Sequence, residues 1–234
     1  MALTLLTAAF LNTAASTSFS QNHTASAVCH TFVVASQRGI SGTSPGAVSY
    51  GGVSILANPV TPLTQITSAS RAHRVYHLPK GLHPGTGARA VAVTWAGVDN
   101  IGVAVIEVQA DGTISFPDAF NADNQGATIT CPITSLLGDL VISVAQANSA
   151  TTFTPSNGQT EYAESTWYSN TGHVIGVQTG AQTAASWGSA GSTCGSAFVI
   201  RETLAGGGSP PVANFPSQRL ARNVFPRRPS RRAA

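Results

Sequence analysis

Apolar residues in this chain fall at alternate positions or in runs of four to eight bounded by Gly, Pro, Asn or Asp, and amphipathic-helix spacing is almost absent. Alternation is clearest in ARAVAVTWAG and in LLGDLVISVAQA. The pattern predicts about a dozen strands, near 3–10, 15–22, 26–36, 46–56, 73–79, 88–96, 101–109, 126–133, 138–146, 160–167, 173–180 and 195–203. Short joints with turn chemistry separate them. Asp111-Gly112 and Asn157-Gly158 are pairs that tolerate the positive backbone angles of a tight hairpin turn. Connections this short favour antiparallel meander or Greek-key pairing over β-α-β units. The expected fold is all-β, an antiparallel jelly-roll-like β-sandwich over 1–203.

Beyond Thr203 the pattern stops. Gly206-Gly207-Gly208-Ser209-Pro210-Pro211 reads as a linker within 204–212, flexible and then stiffened by proline. Residues 213–234 form a proline-punctuated basic arm in which Phe215, Leu220 and Phe225 alternate with Arg219, Arg222, Arg227, Arg228, Arg231 and Arg232. Apolar residues spaced among arginines suit an extended segment that docks on a partner. Such an arm could pair with acidic grooves of a protein while its phenylalanines fill pockets, or neutralise nucleic-acid phosphates.

Composition sharpens this division. Only 9% of the 234 residues are charged, against 42% hydrophobic, a profile of small-residue β packing that argues for structure or binding over metabolism. Residues 1–204 carry six basic residues against nine acids, a net of −3, and 205–234 carry six arginines and no acid, a net of +6. The charge therefore belongs to a near-neutral body with a basic tail. The apolar N-terminal run lacks a preceding positive charge and is too short to cross a bilayer, so it reads as the first strand and no membrane partner is expected. Cys29, Cys131 and Cys194 form no C-x-x-C and read as buried free thiols.

Candidate chemistry centres on RAHRVYHLPKGLHPGTGARAVAVTWAG, residues 71–97. His73 and His77 have helical zinc spacing, but no Glu follows His73 and the segment reads as strand, where they lie about 13 Å apart at ~3.3 Å per residue. Gly85-x-Gly87 lacks the third glycine and the helix of a dinucleotide loop, leaving a turn between two strands. Ser, His and Asp are all present, as in most chains of this size, and Asp99, Glu107, Asp111, Asp118 and Asp123 read as loop and strand-end residues facing water. No catalytic residue, metal ligand or cofactor is assigned. Trp167 and Tyr168 in STWYSNTG are the best candidates for an exposed aromatic pair that stacks on a sugar.

Three segments together, VSYGGVSILANPV, RVYHLPKGLHPGTGARAVAVTWAGVDNIGVAVIEVQADGTISFPDA and LLGDLVISVAQANSATTFTPSNGQTEYAES, carry a resemblance. They resemble the β-sandwich domain of tailed-phage virion proteins, also found in bacterial surface proteins. The landmarks are a Tyr-Gly-Gly turn, a Tyr-x-Leu strand, a turn into a Trp-ended strand, and a Gly-Asp-Leu-Val strand start, in that order. The resemblance implies a jelly-roll-like sandwich with a structural or adhesive role and brings no catalytic residues; the arm lies outside it. The expected function is a non-enzymatic virion structural protein of a bacteriophage, a capsid decoration, cement or minor capsid protein. It would be an oligomer anchored by its arm to capsid or neighbouring virion proteins, with nucleic acid as a further partner of the arm. A glycan-binding tail or surface adhesin and a jelly-roll capsid shell protein are the alternatives.

Overall fold

The structure, a computed structural model, describes residues 3–11, 17–38, 44–66, 71–95, 100–149, 152–167 and 171–204, with only the backbone of Asn100, Asn124 and Trp167. In the compact body, Met1–Leu204, the regular elements among the described residues are antiparallel β-strands, apart from one short 3-10 turn at Lys80–Leu82. Its first nine strands are β1 (Thr4–Leu11), β2 (Ser18–Ala25), β3 (His30–Arg38), β4 (Pro45–Tyr50), β5 (Val53–Ser54), β6 (Thr64–Ile66), β7 (Arg71–Leu78), β8 (Gly87–Trp95) and β9 (Asn100–Gln109). They form two sheets, ordered β1-β9-β3-β7-β6 and β2-β8-β4-β5. Nine more follow: β10 (Thr113–Ser115), β11 (Ala119–Gln125), β12 (Thr128–Pro132), β13 (Leu140–Ala147), β14 (Thr154–Ser156), β15 (Thr160–Trp167), β16 (Thr171–Thr179), β17 (Ala184–Gly188) and β18 (Thr193–Thr203). These give β18-β13-β16-β15, with β10 and β11 both on the outer edge of β18, and β12-β17-β14.

The two halves share one strand order. The large sheets read β1-β9-β3-β7-β6 and β11-β18-β13-β16-β15, and the small ones β2-β8-β4 and β12-β17-β14. The all-β, antiparallel jelly-roll-like sandwich expected from sequence is present, and its strand order occurs twice, as two lobes in tandem. Each has its own core. Val33, Tyr76, Val103 and Val105 of the first large sheet meet Val48, Tyr50, Val93 and Trp95 of its small sheet. In the second lobe Val141, Val174 and Val199 meet Ile129, Cys131, Phe153 and Trp187.

A third core joins the lobes. The outer faces of the two large sheets pack together through Phe32, Val34, Val75, Ala104 and Ile106 against Ile142, Val144, Ile175, Phe198 and Ile200. The described body is therefore four layers, with the large sheets innermost. Burial follows from this. Strands β3 and β13 are covered on both faces and buried along nearly their whole length, whereas β8 buries Val91, Val93 and Trp95 and exposes Ala88, Ala90 and Thr94. Edge strands cross between lobes as well: Tyr162 Oη of β15 donates to the Leu6 carbonyl of β1 at 3.3 Å, and the Gln65 amide of β6 donates to Asp123 of β11 at 2.8 Å.

Register makes the correspondence residue by residue. Val34 pairs with Val75 and Ala104, and Val144 with Ile175 and Ser196. Ser36 pairs with His73 and Gly102, and Gln146 with His173 and Cys194. His73 and His173 are thus equivalent positions, as are Arg71 and Thr171. Equivalent positions also touch: the His73 and His173 rings are 6.2 Å apart, and Arg71 Nε donates to Thr171 Oγ1 at 3.0 Å. Contact between equivalents is what an approximate two-fold axis through this point produces.

Two turn expectations change. Asn157 and Gly158 both have positive φ, 56° and 71°, but the turn joins strands of different sheets, β14 and β15. Gly112 of the Asp-Gly pair lies outside the positive-φ region, and β10 pairs with β18 instead of folding back on β9. A side chain is excluded at Gly112 for another reason, since its Cβ would overlap the Thr203 carbonyl. The Glu202 carboxylate accepts both the Asp111 and Gly112 amides at 2.5 Å and sets that corner. The 79–86 connection likewise carries the chain from the large sheet at β7 to the small sheet at β8.

Candidate functional site

Of the residues singled out in sequence, Phe215, Arg219, Leu220, Arg222, Phe225, Arg227, Arg228, Arg231 and Arg232 lie outside the described residues, as does Tyr168. Trp167 ends β15, with its side chain outside the description. The three cysteines are buried free thiols, as their spacing implies. Burial pushes Cys131 up to about 12 and Cys194 well above the ordinary thiol value, keeping both protonated.

The histidines of 71–97 go to three different places. His73, on β7, points into the layer between the lobes, where Nε2 lies 3.0 Å from Ser196 Oγ and Nδ1 lies 3.8 Å from Cys194 Sγ. Opposite it, His173 Nε2 lies 3.3 Å from Ser36 Oγ, and its ring sits 5.0 Å from Phe10. Both histidines are fully buried, and desolvation lowers His73 to about 4 and His173 to about 3. Two neutral imidazoles with hydroxyl partners form a polar seam within an apolar layer. The seam fixes the relative register of the lobes and offers no access to a substrate.

His77 lies two turns of the pleat further along β7, on the same face. Its Nε2 is 3.0 Å from His30 Nδ1, and Phe32 stacks on its ring at 4.9 Å. Burial, then the neighbouring His30, lowers it to about 3. An open groove of about 490 Å³ reaches this pair past Lys80, Asp111 and Ile114. Lys80 Nζ donates to the Ala110 carbonyl at 3.0 Å, so the lysine braces the groove wall.

His83 joins a different group, at the end of the first lobe where the β2–β3 loop, the β4–β5 turn and the 79–86 connection converge. Glu107 on β9 is fully buried here, correcting its reading as a water-facing residue: odd-numbered positions of β9 point into the first lobe's core, with Val103 and Val105. Its Oε2 accepts from Ser26 Oγ at 2.6 Å, and its Oε1 lies 3.9 Å from His23 Nδ1. That nitrogen is 3.0 Å from Tyr50 Oη, and burial lowers the His23 pKa against the raising effect of Glu107. Cys29, His83 and Glu107 each bring one ligand-type atom within 4.8 Å of the other two. Burial, then Glu107, pushes the Cys29 thiol up to about 11. Local spacing carries no trace of this group, because its members come from three separate connections and strands.

No family model, no curated protein and no solved structure matches the chain.

Proposed function

We propose that the chain is a non-enzymatic structural protein of a tailed-phage virion, a capsid decoration, cement or minor capsid protein. The two-lobed body is its rigid part, and the basic arm, 213–234, holds it to capsid or neighbouring virion proteins. The observation that carries this reading is the segregation of charge: a net of −3 over 1–204 and of +6 over 205–234, where the arginines are interspersed with Phe215, Leu220, Val224 and Phe225. A solubilising tail has no need of apolar anchors, whereas a docking segment uses arginine and aromatic residues together. The layered body supports the same reading. Its best-formed polar clusters are spent inside the fold, the seam joining two lobes and the His30–His77 pair bracing β3 against β7. Self-association into an oligomer belongs to this proposal.

The test is reattachment to purified particles depleted of the protein. The full chain is expected to rebind, and a chain ending at Leu204 to lose at least about 100-fold in affinity, the effect of losing two hot-spot anchors. Equal binding by the shortened chain, or absence of the protein from virions, removes the proposal. Glycan-array binding abolished by Trp167→Ala would replace it with the adhesin reading. An affinity for bare nucleic acid that falls steeply with salt and disappears with the arm would assign the arginines to phosphates.

A further inference from the structure

Glu107 is costly as it stands. A fully buried carboxylate needs a cationic or hydrogen-bonding partner at each oxygen, and Oε1 has no hydrogen-bond partner, its nearest basic group being His23 Nδ1 at 3.9 Å, an imidazole that burial disfavours as a cation. His83 Nε2 is likewise buried without a partner, while its Nδ1 accepts the Gly85 amide at 3.2 Å and orients the ring. The equivalent strand position in the other lobe shows that the fold does not require the acid. Glu107 pairs with Thr31, Val199 pairs with Val141, and these are corresponding positions in which the second lobe buries a valine. Two unsatisfied buried atoms thus belong to residues that, with the Cys29 thiol, bring ligand-type atoms within 4.8 Å of one another, where a jelly-roll core can be wholly apolar.

We infer that Cys29 Sγ, His83 Nε2 and Glu107 Oε1 bind a divalent transition-metal ion of the zinc class. A thiolate, an imidazole and a carboxylate are a borderline donor set that suits Zn²⁺ or Co²⁺ and not Ca²⁺ or Mg²⁺. Bonds of about 2.0–2.3 Å in a tetrahedral site place ligand atoms roughly 3.3–3.8 Å apart, so the group, already within 4.8 Å, closes on an ion by a shift of about 1 Å. Binding displaces the Cys29 thiol proton to solvent, and the two anionic ligands then balance the ion's charge. Ser26 on Oε2 and the Gly85 amide on His83 Nδ1 are the outer contacts that aim the ligands. The fourth position is left to water. The ion ties the β2–β3 loop and the 79–86 connection to β9, which makes it a rivet at one end of the first lobe.

The untagged full chain, stripped with chelator and titrated with Co²⁺, gives the test. The expected result is one Co²⁺ per chain, with the visible absorption of four-coordinate cobalt and a thiolate-to-cobalt charge-transfer band, displaced by Zn²⁺. Cys29→Ser is expected to remove the charge-transfer band, while Cys131→Ser and Cys194→Ser keep it. His83→Gln, on a half-buried connection where folding tolerates the change, is expected to weaken binding at least tenfold, as is Glu107→Gln. Absence of stoichiometric cobalt binding, a charge-transfer band surviving Cys29→Ser, or unchanged affinity in His83→Gln overturns the assignment. In that event Glu107 is only a buried acid held by Ser26.

Discussion

Acidification from pH 7 to pH 5 is expected to destabilise the body by several kcal/mol while its surface carboxylates are still largely ionised. His73, His173 and His77 sit in the folded chain at about 4, about 3 and about 3, lowered first by burial, and an unfolded histidine titrates near 6.5. A depressed histidine makes the unfolded state bind more protons between these limits, so stability is complete above pH 6.5 and falls as pH drops toward the folded values. At pH 5 each contributes a loss of about 2 kcal/mol, and the three together roughly 6, against a typical total of ~5–15. The two rings of the seam, 6.2 Å apart, also oppose each other's charging, since after burial it is the neighbouring His73 that lowers His173. The loss continues below pH 4, where Asp139, held below the usual carboxylate range by Arg201, gives up its bidentate pair at 2.9 and 2.7 Å. Urea unfolding at stepped pH checks this. His173→Gln, which keeps a neutral polar group, should remove about a third of the slope between pH 6.5 and 5, and a flat profile over that interval would show that the seam is hydrated or already charged.

Phe32→Ala is expected to cost about 3–5 kcal/mol, the usual loss for a large aromatic removed from a core that cannot collapse. Phe32 is fully buried between the large sheets, stacked on His77 at 4.9 Å and packed on Phe198 at 5.2 Å and edge-on to Phe116 at 5.8 Å. Phe198 lies on β18 of the second lobe and Phe116 directly follows β10, which pairs with β18, so the substitution loosens the lobes from each other as well as β3 from its own neighbours. The urea midpoint should fall with the slope unchanged, in one transition seen alike by Trp95 of the first lobe and Trp187 of the second. A transition that splits, with Trp95 and Trp187 reporting different midpoints, would mean that the lobes fold separately and that the central layer is a weak contact.

How much of this the sequence shows depends on whether the cause is local. The all-β class and most strands follow from period-two alternation, and RAHRVYHL is a strand for that reason. The layer order is legible too: ARAVAVTW alternates because β8 has one wet face, while LVISVA runs on because β13 is covered on both. The duplication is hidden because corresponding positions keep burial but change residue, Ser36 for Gln146, Glu107 for Val199 and Ala104 for Ser196. Hydrophobic pattern does not encode which of two identical strand orders a strand joins. The Cys29–His83–Glu107 group is hidden by distance along the chain, since its members stand 54 and 24 residues apart and meet only when three connections converge. Glu107 in isolation resembles any strand-end acid. Its burial depends on β9 lying between β1 and β3 in the middle of a large sheet.

The arm is the part of the account that composition alone motivates, and protection from trypsin measures it directly. Arg219, Arg222, Arg227, Arg231 and Arg232 supply the cleavage sites, the Arg228–Pro229 bond being resistant, and the 205–234 segment has no lysine. In intact particles cleavage after these arginines is expected to be at least tenfold slower than in the same protein dissociated from them, because docked arginines with buried phenylalanines between them are withheld from the protease. Equal cleavage rates in the two states would contradict the proposal that this segment anchors the chain to a virion.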